Sequence, residues 1–172
     1  MEVLASRRIY EGNVVNLRVD RVNTTRGEHE YEVVEHRGAV VVIARPSADS
    51  MVLVHQYRQP LGAFTWEACA GGIDGSEAPI DAARRELREE TGLRAGVLRP
   101  LWSLYSAPGF CDELLHFFDA GALESGETDF DAGEDIETRT FSLDELRGMM
   151  ERNELVDCKT QIAVLWALTA RA

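Results

Sequence analysis

No run of apolar residues in the chain is long enough to cross a membrane, and the opening MEVLASRRIYEG lacks the apolar core of a signal peptide. Cysteine is scarce, with three in the chain. Because they are odd in number and widely spaced, they predict neither a disulfide framework nor a zinc site. Reduced thiols are the simplest interpretation. We therefore expect a cytoplasmic protein that has no membrane partner.

Basic residues are also in short supply. The chain has 18 Lys or Arg against 30 Asp or Glu, which gives a net charge of −12. Residues 119–157 alone carry thirteen acidic residues and three arginines. Such a surface repels a polyanion, so we expect no nucleic acid among the partners. A small dianion is different, because metal ions and a few arginines can neutralise it locally. Residues 126–137, the most acidic segment, are predicted to form a solvated loop.

The pattern of apolar residues predicts a mixed α/β (α+β) protein of one domain with a small extension. Alternating polarity or β-branched apolar runs predict eight strands, over residues 14–22, 31–35, 39–44, 51–57, 66–70, 97–105, 114–120 and 136–141. A capping box at residues 142–145 opens a helix that reaches about Arg152, and an apolar helix is predicted over residues 160–171. Helices and strands in this order fit a sheet covered on both faces.

Residues 1–37 are predicted to form a small antiparallel sheet, separate from a main domain at residues 38–172. The strands at 14–22 and 31–35 pair back through a turn over 23–29 that contains Gly27. This segment has too few apolar positions to be stable alone. We expect it to pack on a second subunit of the same chain.

A helix with three neighbouring glutamates is predicted within residues 71–93, which read GGIDGSEAPIDAARRELREETGL. Glu86, Glu89 and Glu90 fall within an arc of about 100° on this helix. Glu86 and Glu90 repel each other at i,i+4 by roughly a few tenths of a kcal/mol, so we expect a group outside the helix to offset the repulsion. A hard divalent cation is the natural candidate, because Mg²⁺ prefers carboxylate oxygens and brings phosphate oxygens with it.

The flanking residues predict where this helix begins, packs and ends. Pro79 suits the first turn, Asp81 favours the positive end of the helix dipole, and Gly92 supplies the stop. The side chains expected to face the core are Ile80, Ala83 and Leu87, and those expected to face solvent are Arg84 and Arg88. The loop before the helix is predicted to let backbone approach a ligand closely at three glycines, Gly71, Gly72 and Gly75.

The spacing of the acidic stretch resembles the Nudix box, which is the signature of the Nudix hydrolase superfamily. The matching positions are Gly71, Glu77, the run Arg85-Glu86-Leu87, the pair Glu89-Glu90 and the run Gly92-Leu93. A solvated acidic face is the alternative for an arbitrary glutamate-rich helix, but a chance match at so many fixed positions is rare. The resemblance implies an α/β/α sandwich with a mixed sheet. It also implies Mg²⁺- or Mn²⁺-dependent cleavage of a nucleoside diphosphate linked to another group.

The acidic stretch suggests a role for each of its charged residues. Glu86 and Glu90 are predicted to bind the metal ion, since they lie one turn apart on one face. Glu89 lies to one side, where it could bind a second ion, hold water beside the ion, or act as a catalytic base. Arg85 is predicted to orient a glutamate through charge-assisted hydrogen bonds rather than to touch the substrate. The backbone carbonyl of Ala70 is a further metal ligand that the resemblance alone implies.

Other stretches resemble the ADP-ribose pyrophosphatase subgroup of this superfamily, and the similarity runs over nearly the whole chain. These stretches are residues 32–42, 55–58, 106–113 and 157–160. The resemblance implies that Arg58 contacts the pyrophosphate; a strand-end surface arginine is the alternative. It implies that Glu113, five residues after the subgroup's marker Pro108, is a loop glutamate that acts as general base. An ordinary solvated loop glutamate is the alternative there.

The adenine side of the substrate is the least defined part of the resemblance. Glu32 matches a position that contacts the adenine side, often from a partner subunit. Some relatives carry Arg before that glutamate, whereas this chain has Tyr31, which can stack on a purine. The resemblance also implies a homodimer that exchanges the amino-terminal sheet between subunits.

We therefore expect a metal-dependent hydrolase that cleaves a nucleotide sugar, ADP-ribose, to AMP and ribose 5-phosphate. One alternative is a pyrophosphatase for another nucleotide sugar, such as GDP-mannose, because base selectivity depends on side chains that the sequence does not place. The other is a sensor that binds ADP-ribose without cleaving it. The complete set of box carboxylates and the absence of an appended basic module argue against a sensor.

Overall fold

The computed structural model describes residues 1–126 and 136–170. Most of the predicted acidic loop, together with the last two residues of the chain, lies outside the described residues. The strands are β1 Glu2–Glu11, β2 Val15–Thr24, β3 Gly27–His36, β4 Ala39–Ala44, β5 Ser50–Arg58, β6 Ala63–Glu67, β7 Cys69–Gly72, β8 Leu93–Tyr105, β9 Leu114–Ser125 and β10 Glu137–Ser142. The helices are α1 Pro79–Thr91, α2 Leu143–Glu151 and α3 Cys158–Thr169.

The chain divides into two compact units. The N-terminal unit comprises Met1–Ala39 and Ser103–Leu115, and the main unit comprises Val40–Trp102 and His116–Ala172. The segment Ser103–Leu115 contains the loop after β8, so the N-terminal unit takes a piece from the middle of the chain. The predicted boundary between residues 37 and 38, with its assignment of a catalytic domain to residues 38–172, stays a prediction.

The N-terminal unit contains the predicted antiparallel sheet, in the order β1-β2-β3. Strands β2 and β3 pair without interruption from Val15 opposite His36 to Thr24 opposite Gly27. The sheet holds a buried polar network, because Asp20 accepts a hydrogen bond from Ser6 at 2.6 Å and pairs with Arg18 at 3.0 Å. Charged contacts thus occupy positions where a larger domain would have apolar side chains.

Strand β1 was not among the strands predicted from the sequence. Its ten residues are all exposed, so burial does not alternate along the strand. Its pairing with β2 also shifts register between Val3 and Ala5 and again between Arg8 and Tyr10. Each shift moves the following side chains to the opposite face, which removes the period of two that reveals a strand.

The main unit contains a sheet ordered β7-β4-β9-β8 with helices on both faces. On one face, α1 packs through Ala83 and Leu87 into a core cluster that includes Phe118. Neighbouring residues of a strand point to opposite faces, so Phe117 points away from α1. Its ring stacks on that of Trp102 at 5.7 Å, and Trp102 meets Trp166 of α3 at 6.0 Å. The predicted α/β/α sandwich is confirmed.

The strand predicted over residues 66–70 was wrong in one respect, because this segment holds two strands in different sheets. Strand β6 pairs with β5 in a sheet ordered β10-β5-β6, whereas β7 lies beside β4. Between them, the backbone N–H of Ala68 donates to the hydroxyl of Thr160 on α3 at 2.8 Å. A contact with a distant helix therefore lies where β6 ends, and no local pattern in the sequence indicates it.

The ends of the helices agree with the signals in the sequence. Helix α1 begins at Pro79 and is ended by its C-cap, Gly92, which has a φ of 67°. The hydroxyl of Ser142 caps α2 by accepting from the N–H of Glu145 at 3.2 Å. Helix α3 begins before the predicted residue 160, because Asp157 caps it. Among the described residues, no helix is long and apolar enough to cross a membrane.

Candidate active site on helix α1

Arg85 is the centre of the acidic cluster on α1. Its Nη1 donates to Glu86 at 2.7 Å and to Glu89 at 3.0 Å. Its Nη2 donates to Glu77 at 2.7 Å and to the carbonyl oxygen of Gly72 at 2.8 Å. Hydrogen bonding to Glu77 raises the pKa of Arg85 and lowers the pKa of Glu77. One guanidinium therefore fixes three carboxylates and the glycine strand relative to one another.

Glu86 lies directly against Gly71 of β7. A Cβ atom placed on Gly71 would overlap the carboxylate of Glu86, so a side chain at this position would force that carboxylate to move. The sequence suggested that the glycine loop lets a ligand approach the backbone. In the structure, the group that approaches Gly71 is the protein's own carboxylate.

Glu90 is buried and bonded to the same strand. Its Oε2 accepts from the backbone N–H of Ala70 at 3.0 Å, and it is 4% exposed. Cys69 is fully buried beside it, and burial together with the charge of Glu90 raises the pKa of the thiol. Glu86 and Glu90 thus meet the backbone of two consecutive residues of β7, Gly71 and Ala70.

The repulsion between Glu86 and Glu90 was expected to be offset by a cation. The structure provides protein partners instead, since Arg85 pairs with Glu86 and the backbone of Ala70 with Glu90. In the part of the chain that the structure describes, no three His, Cys, Asp or Glu side chains converge closely enough to hold a metal ion. The repulsion alone therefore does not demand a metal.

The donor chemistry at β7 nevertheless fits a hard divalent cation. Glu86 and Glu90 present carboxylate oxygens beside the carbonyl-bearing backbone of residues 70–71. Mg²⁺ is typically bound by one or two carboxylates together with water and substrate phosphates, rather than by a cage of protein side chains. The residues present suit an ion held in this way.

Arg58 lies at the end of β5 in the main unit, where Glu67 of β6 holds it. Its Nε and Nη2 donate to the two carboxylate oxygens of Glu67, each at 2.8 Å. The hydrogen bond to Glu67 raises the pKa of Arg58, and the charges of Glu90 and Asp157 act in the same direction. The Arg58 side chain remains 38% exposed.

Glu67 is a functional candidate that the sequence analysis missed. It is buried with Thr65, while Trp66 between them is only partly buried. An inward-facing glutamate on a strand requires a cationic partner. Glu67 in a predicted strand was therefore a signal that a cation lies beside it. The sequence did not show which cation that is.

The remaining predicted residues belong to the N-terminal unit. Glu32 and Pro108 come together there and line a cavity of about 340 Å³ that Tyr31 also lines. The loop after β8 is bonded to β3, since the N–H of Val34 donates to the carbonyl of Phe110 at 2.7 Å. Glu32 and Pro108 are thus neighbours although 76 residues separate them in the sequence.

Glu113 lies at the end of this loop beside His36. Its Oε1 is 3.5 Å from Nδ1 of His36. The same nitrogen accepts a hydrogen bond from the backbone N–H of Gly38 at 3.1 Å. Glu113 is 26% exposed, which leaves part of its carboxylate open to solvent.

The sandwich is the fold that the sequence resemblance implied, and the glutamate-rich helix carries most of the residues on which that resemblance rests. Residues 34–158 match the family model described as the NUDIX domain, which is more than half of the chain. The protein belongs to the NUDIX family of hydrolases. The ADP-ribose pyrophosphatases of this family generally use divalent metal ions.

Curated relatives match most of the chain. An ADP-ribose pyrophosphatase of Bacillus subtilis is 34% identical over 166 residues, which cover 95% of this chain and 90% of the relative. A methanol dehydrogenase activator of Bacillus methanolicus is 36% identical over 166 residues, with the same coverage of 95% and 90%. A GDP-mannose pyrophosphatase of Citrobacter koseri is 34% identical over 146 residues, which cover 77% of this chain and 74% of the relative.

The fold has a close counterpart among solved structures. A crystal structure of an ADP compounds hydrolase superposes with a TM-score of 0.83 and covers 95% of this chain and 89% of the other. The two sequences are 21% identical, so this likeness concerns the fold. It independently supports the sandwich described above.

Proposed function

We propose that the protein hydrolyses the diphosphate bond of ADP-ribose and releases AMP and ribose 5-phosphate. The observation that carries the proposal is the similarity to an ADP-ribose pyrophosphatase over 95% of this chain and 90% of that relative. The set of box carboxylates is complete, and Glu86, Glu89 and Glu90 on α1 are held by Arg85 or by the backbone of β7, which supports catalysis over binding alone.

A divalent cation, Mg²⁺ or Mn²⁺, is proposed to be held by Glu86, Glu90 and the carbonyl of Ala70, with Glu89 available for a second ion. When bound, such an ion withdraws charge from the diphosphate and makes water easier to deprotonate. Arg85 contributes by holding the Glu86 and Glu89 carboxylates in place. Because its guanidinium is saturated by protein oxygens, Arg85 acts on the site by orientation rather than by contact with substrate.

Glu113 is the proposed general base, with Glu89 as the alternative. Glu89 is bonded to both Arg85 and Arg88, each at 3.0 Å. A carboxylate held by two guanidinium groups must give up these contacts before it can accept a proton from water. Glu113 has a single histidine nitrogen at 3.5 Å and is held less tightly than Glu89. The environment of the two carboxylates therefore favours Glu113.

Four residues are proposed to bind the substrate. Within the described residues, Nη1 of Arg58 donates no hydrogen bond, and it is suited to the diphosphate. Gly72 contributes its backbone beside Arg85, where its carbonyl is already bonded. Glu32 and Pro108 share a cavity with Tyr31, whose ring is 46% exposed and available to stack on a purine.

GDP-mannose is the second candidate substrate, since a GDP-mannose pyrophosphatase matches 77% of this chain. Both candidates are nucleotide sugars that share a diphosphate, so the box does not distinguish between them. The distinction lies with the side chains that contact the base.

A substrate panel tests the proposal. The purified protein would be incubated with ADP-ribose, ADP-glucose, GDP-mannose, NADH and diadenosine polyphosphates, each with Mg²⁺ and with Mn²⁺, and the released mononucleotide measured. We expect AMP from ADP-ribose with the highest kcat/KM, and no release after chelation of the metal. Faster release of GMP from GDP-mannose would replace ADP-ribose, and binding of ADP-ribose without any release would indicate a sensor.

We also propose that the protein is a cytoplasmic homodimer joined through the N-terminal unit. The support for the dimer is the exposure of apolar side chains on and near β1, including Val3, Ile9 and Tyr10 at 60%, 44% and 58%. The support for the compartment is that all three cysteines are free thiols, which suits a reducing environment. Small nucleotide sugars, rather than nucleic acid or membrane, are the proposed partners.

A further inference from the structure

Glu67 and the segment of residues 157–160 form one connected polar network that the proposed function does not yet use. Glu67 is 3% exposed, and both of its carboxylate oxygens are occupied. One oxygen accepts from Nε of Arg58 at 2.8 Å and from the hydroxyl of Thr65 at 2.5 Å. The other accepts from Nη2 of Arg58 at 2.8 Å and from Nζ of Lys159 at 2.5 Å.

The start of helix α3 holds Lys159 in this network. Lys159 lies 2.9 Å from Oδ1 of Asp157, whose Oδ2 accepts from the backbone N–H and the hydroxyl of Thr160 at 2.9 and 2.5 Å. The same hydroxyl accepts from the N–H of Ala68, the residue after Glu67, at 2.8 Å. The helix cap, the lysine and the end of β6 therefore form a closed ring of contacts around Glu67.

As far as the structure describes the chain, one side of the Arg58 guanidinium is left without a hydrogen bond. Glu67 occupies the Nε–Nη2 edge of the guanidinium, while Nη1 takes no part in that pair. A bidentate pair fixes both the position and the plane of a guanidinium, which a single hydrogen bond does not. Lys159 is bonded to two carboxylates and is 14% exposed, so its contribution is to hold Glu67 rather than to reach a ligand.

We propose that Glu67 is a positioning residue that aims Arg58 at the diphosphate of the substrate, and that Lys159 and the α3 cap keep Glu67 in place. This inference rests on the proposed function, because it uses Arg58 as the diphosphate contact. It gives residues 157–160, which lie about one hundred residues after Arg58 in the sequence, the role of holding Glu67. Preorganisation of a binding group improves affinity by reducing the ordering required when the ligand arrives.

A double-mutant cycle tests the inference. Glu67→Gln keeps the shape of the side chain but loses the charge that holds the guanidinium. We expect a rise of about tenfold in the KM for ADP-ribose, with a smaller change in kcat. In an Arg58→Lys background the same substitution should change KM by less than about twofold, because the group that Glu67 positions is gone. Equal effects in both backgrounds would overturn the inference and leave Glu67 with a structural role.

Two further variants separate positioning from folding. Lys159→Arg should retain most of the affinity because it preserves a cation beside Glu67, whereas Lys159→Met should raise KM. Arg139→Gln is the matched control, since it removes an exposed ion pair with Glu145 on α2 and should leave KM unchanged. If Lys159→Met and Glu67→Gln lower the thermal midpoint but leave KM unchanged, the positioning role is wrong.

A measurement without turnover distinguishes this inference from the proposed function. The Nε–H of Arg58, assigned by its loss in Arg58→Lys, should give a downfield signal in ¹H–¹⁵N spectra that Glu67→Gln shifts towards free arginine. An unperturbed signal would overturn the contact between Arg58 and Glu67. A wild-type protein that shows the signal but hydrolyses no compound of the panel would instead overturn the proposed function.

Discussion

Glu90 accepts a hydrogen bond from the backbone N–H of Ala70 at 3.0 Å, which fixes a buried carboxylate of α1 to the strand that precedes the helix. A buried anion is costly unless it is paired or hydrogen-bonded. Here the protein provides that bond itself, and Gly71 gives Glu86 room to lie beside it. The carboxylates are therefore placed before any cation or substrate arrives.

Loss of either proposed metal-binding charge should abolish turnover without unfolding the protein. We expect Glu86→Gln and Glu90→Gln to lower kcat by on the order of 10²-fold or more, because each removes a negative charge from the proposed metal site. The amide oxygen that Glu90→Gln introduces can still accept from the N–H of Ala70, so the thermal midpoint should change little. Glu145→Gln, an exposed glutamate of α2, is the control. Undiminished kcat in both variants would remove the metal assignment.

A side chain at Gly71 should displace the Glu86 carboxylate. In Gly71→Ala the new Cβ overlaps the Glu86 carboxylate, which must then turn away from β7. We expect a loss of activity with native-like circular dichroism. Gly121→Ala is a matched control, because nothing lies within 4 Å of a Cβ at Gly121. If Gly71→Ala retains full activity, the contact between Gly71 and Glu86 is not required for catalysis.

Glu113 and Glu89 can be separated as candidate bases by kinetics. Glu113→Gln should lower kcat strongly and leave the KM for ADP-ribose nearly unchanged, because a general base acts in the transition state. Glu89→Gln should have the smaller effect on kcat, since Arg85 and Arg88 already engage that carboxylate. A rise in KM alone for Glu113→Gln would make Glu113 a binding residue and Glu89 the better base.

Local signals in the sequence revealed the helices and the acidic cluster. Gly92 adopts the left-handed conformation expected of a helix stop, and Ser142 caps α2 as its capping box predicts. Both signals depend on residues within a few positions of each other. The Nudix box is equally local, since Arg85 and the glutamates of the box all lie between Glu77 and Glu90.

Contacts between distant parts of the chain were not predictable in this way. The bond from Ala68 to Thr160 joins residues that are 92 positions apart, and it ends β6 where the sequence suggested one continuous strand. The contact between Glu67 and Lys159 spans the same distance. Each is decided by how α3 packs on the sheet. The register shifts of β1 are a third case, because they follow from pairing with β2 and not from its own side chains.

Glu67 should make the protein sensitive to acid. Burial alone would raise the pKa of Glu67, but hydrogen bonds and charge from Arg58 and Lys159 lower it from 4.5 to about 2. A carboxyl with a depressed native pKa stabilises the fold above its unfolded value, and this contribution is lost as pH falls towards the native value. It amounts to on the order of 3 kcal/mol.

The check is urea unfolding between pH 5 and pH 2.5. The unfolding free energy of the wild type should fall steeply as pH decreases across this range. Glu67→Gln should be less stable at pH 5, because Arg58 and Lys159 lose their shared anion, but its stability should depend less on pH. Parallel curves for the two proteins would mean that Glu67 is not the group that titrates.

The N-terminal sheet should mediate self-association. Ile9 of β1 is 44% exposed in the single chain, and exposed apolar side chains on a small sheet are typical of an interface. We expect light scattering to give twice the chain mass for the wild type and the chain mass, 19.2 kDa, for Ile9→Asp at micromolar concentration. Val156→Asp is the control, since Val156 is 53% exposed in the main unit and its substitution should leave the mass unchanged. A monomeric wild type would contradict the proposed dimer, and a dimer that survives Ile9→Asp would place the interface elsewhere.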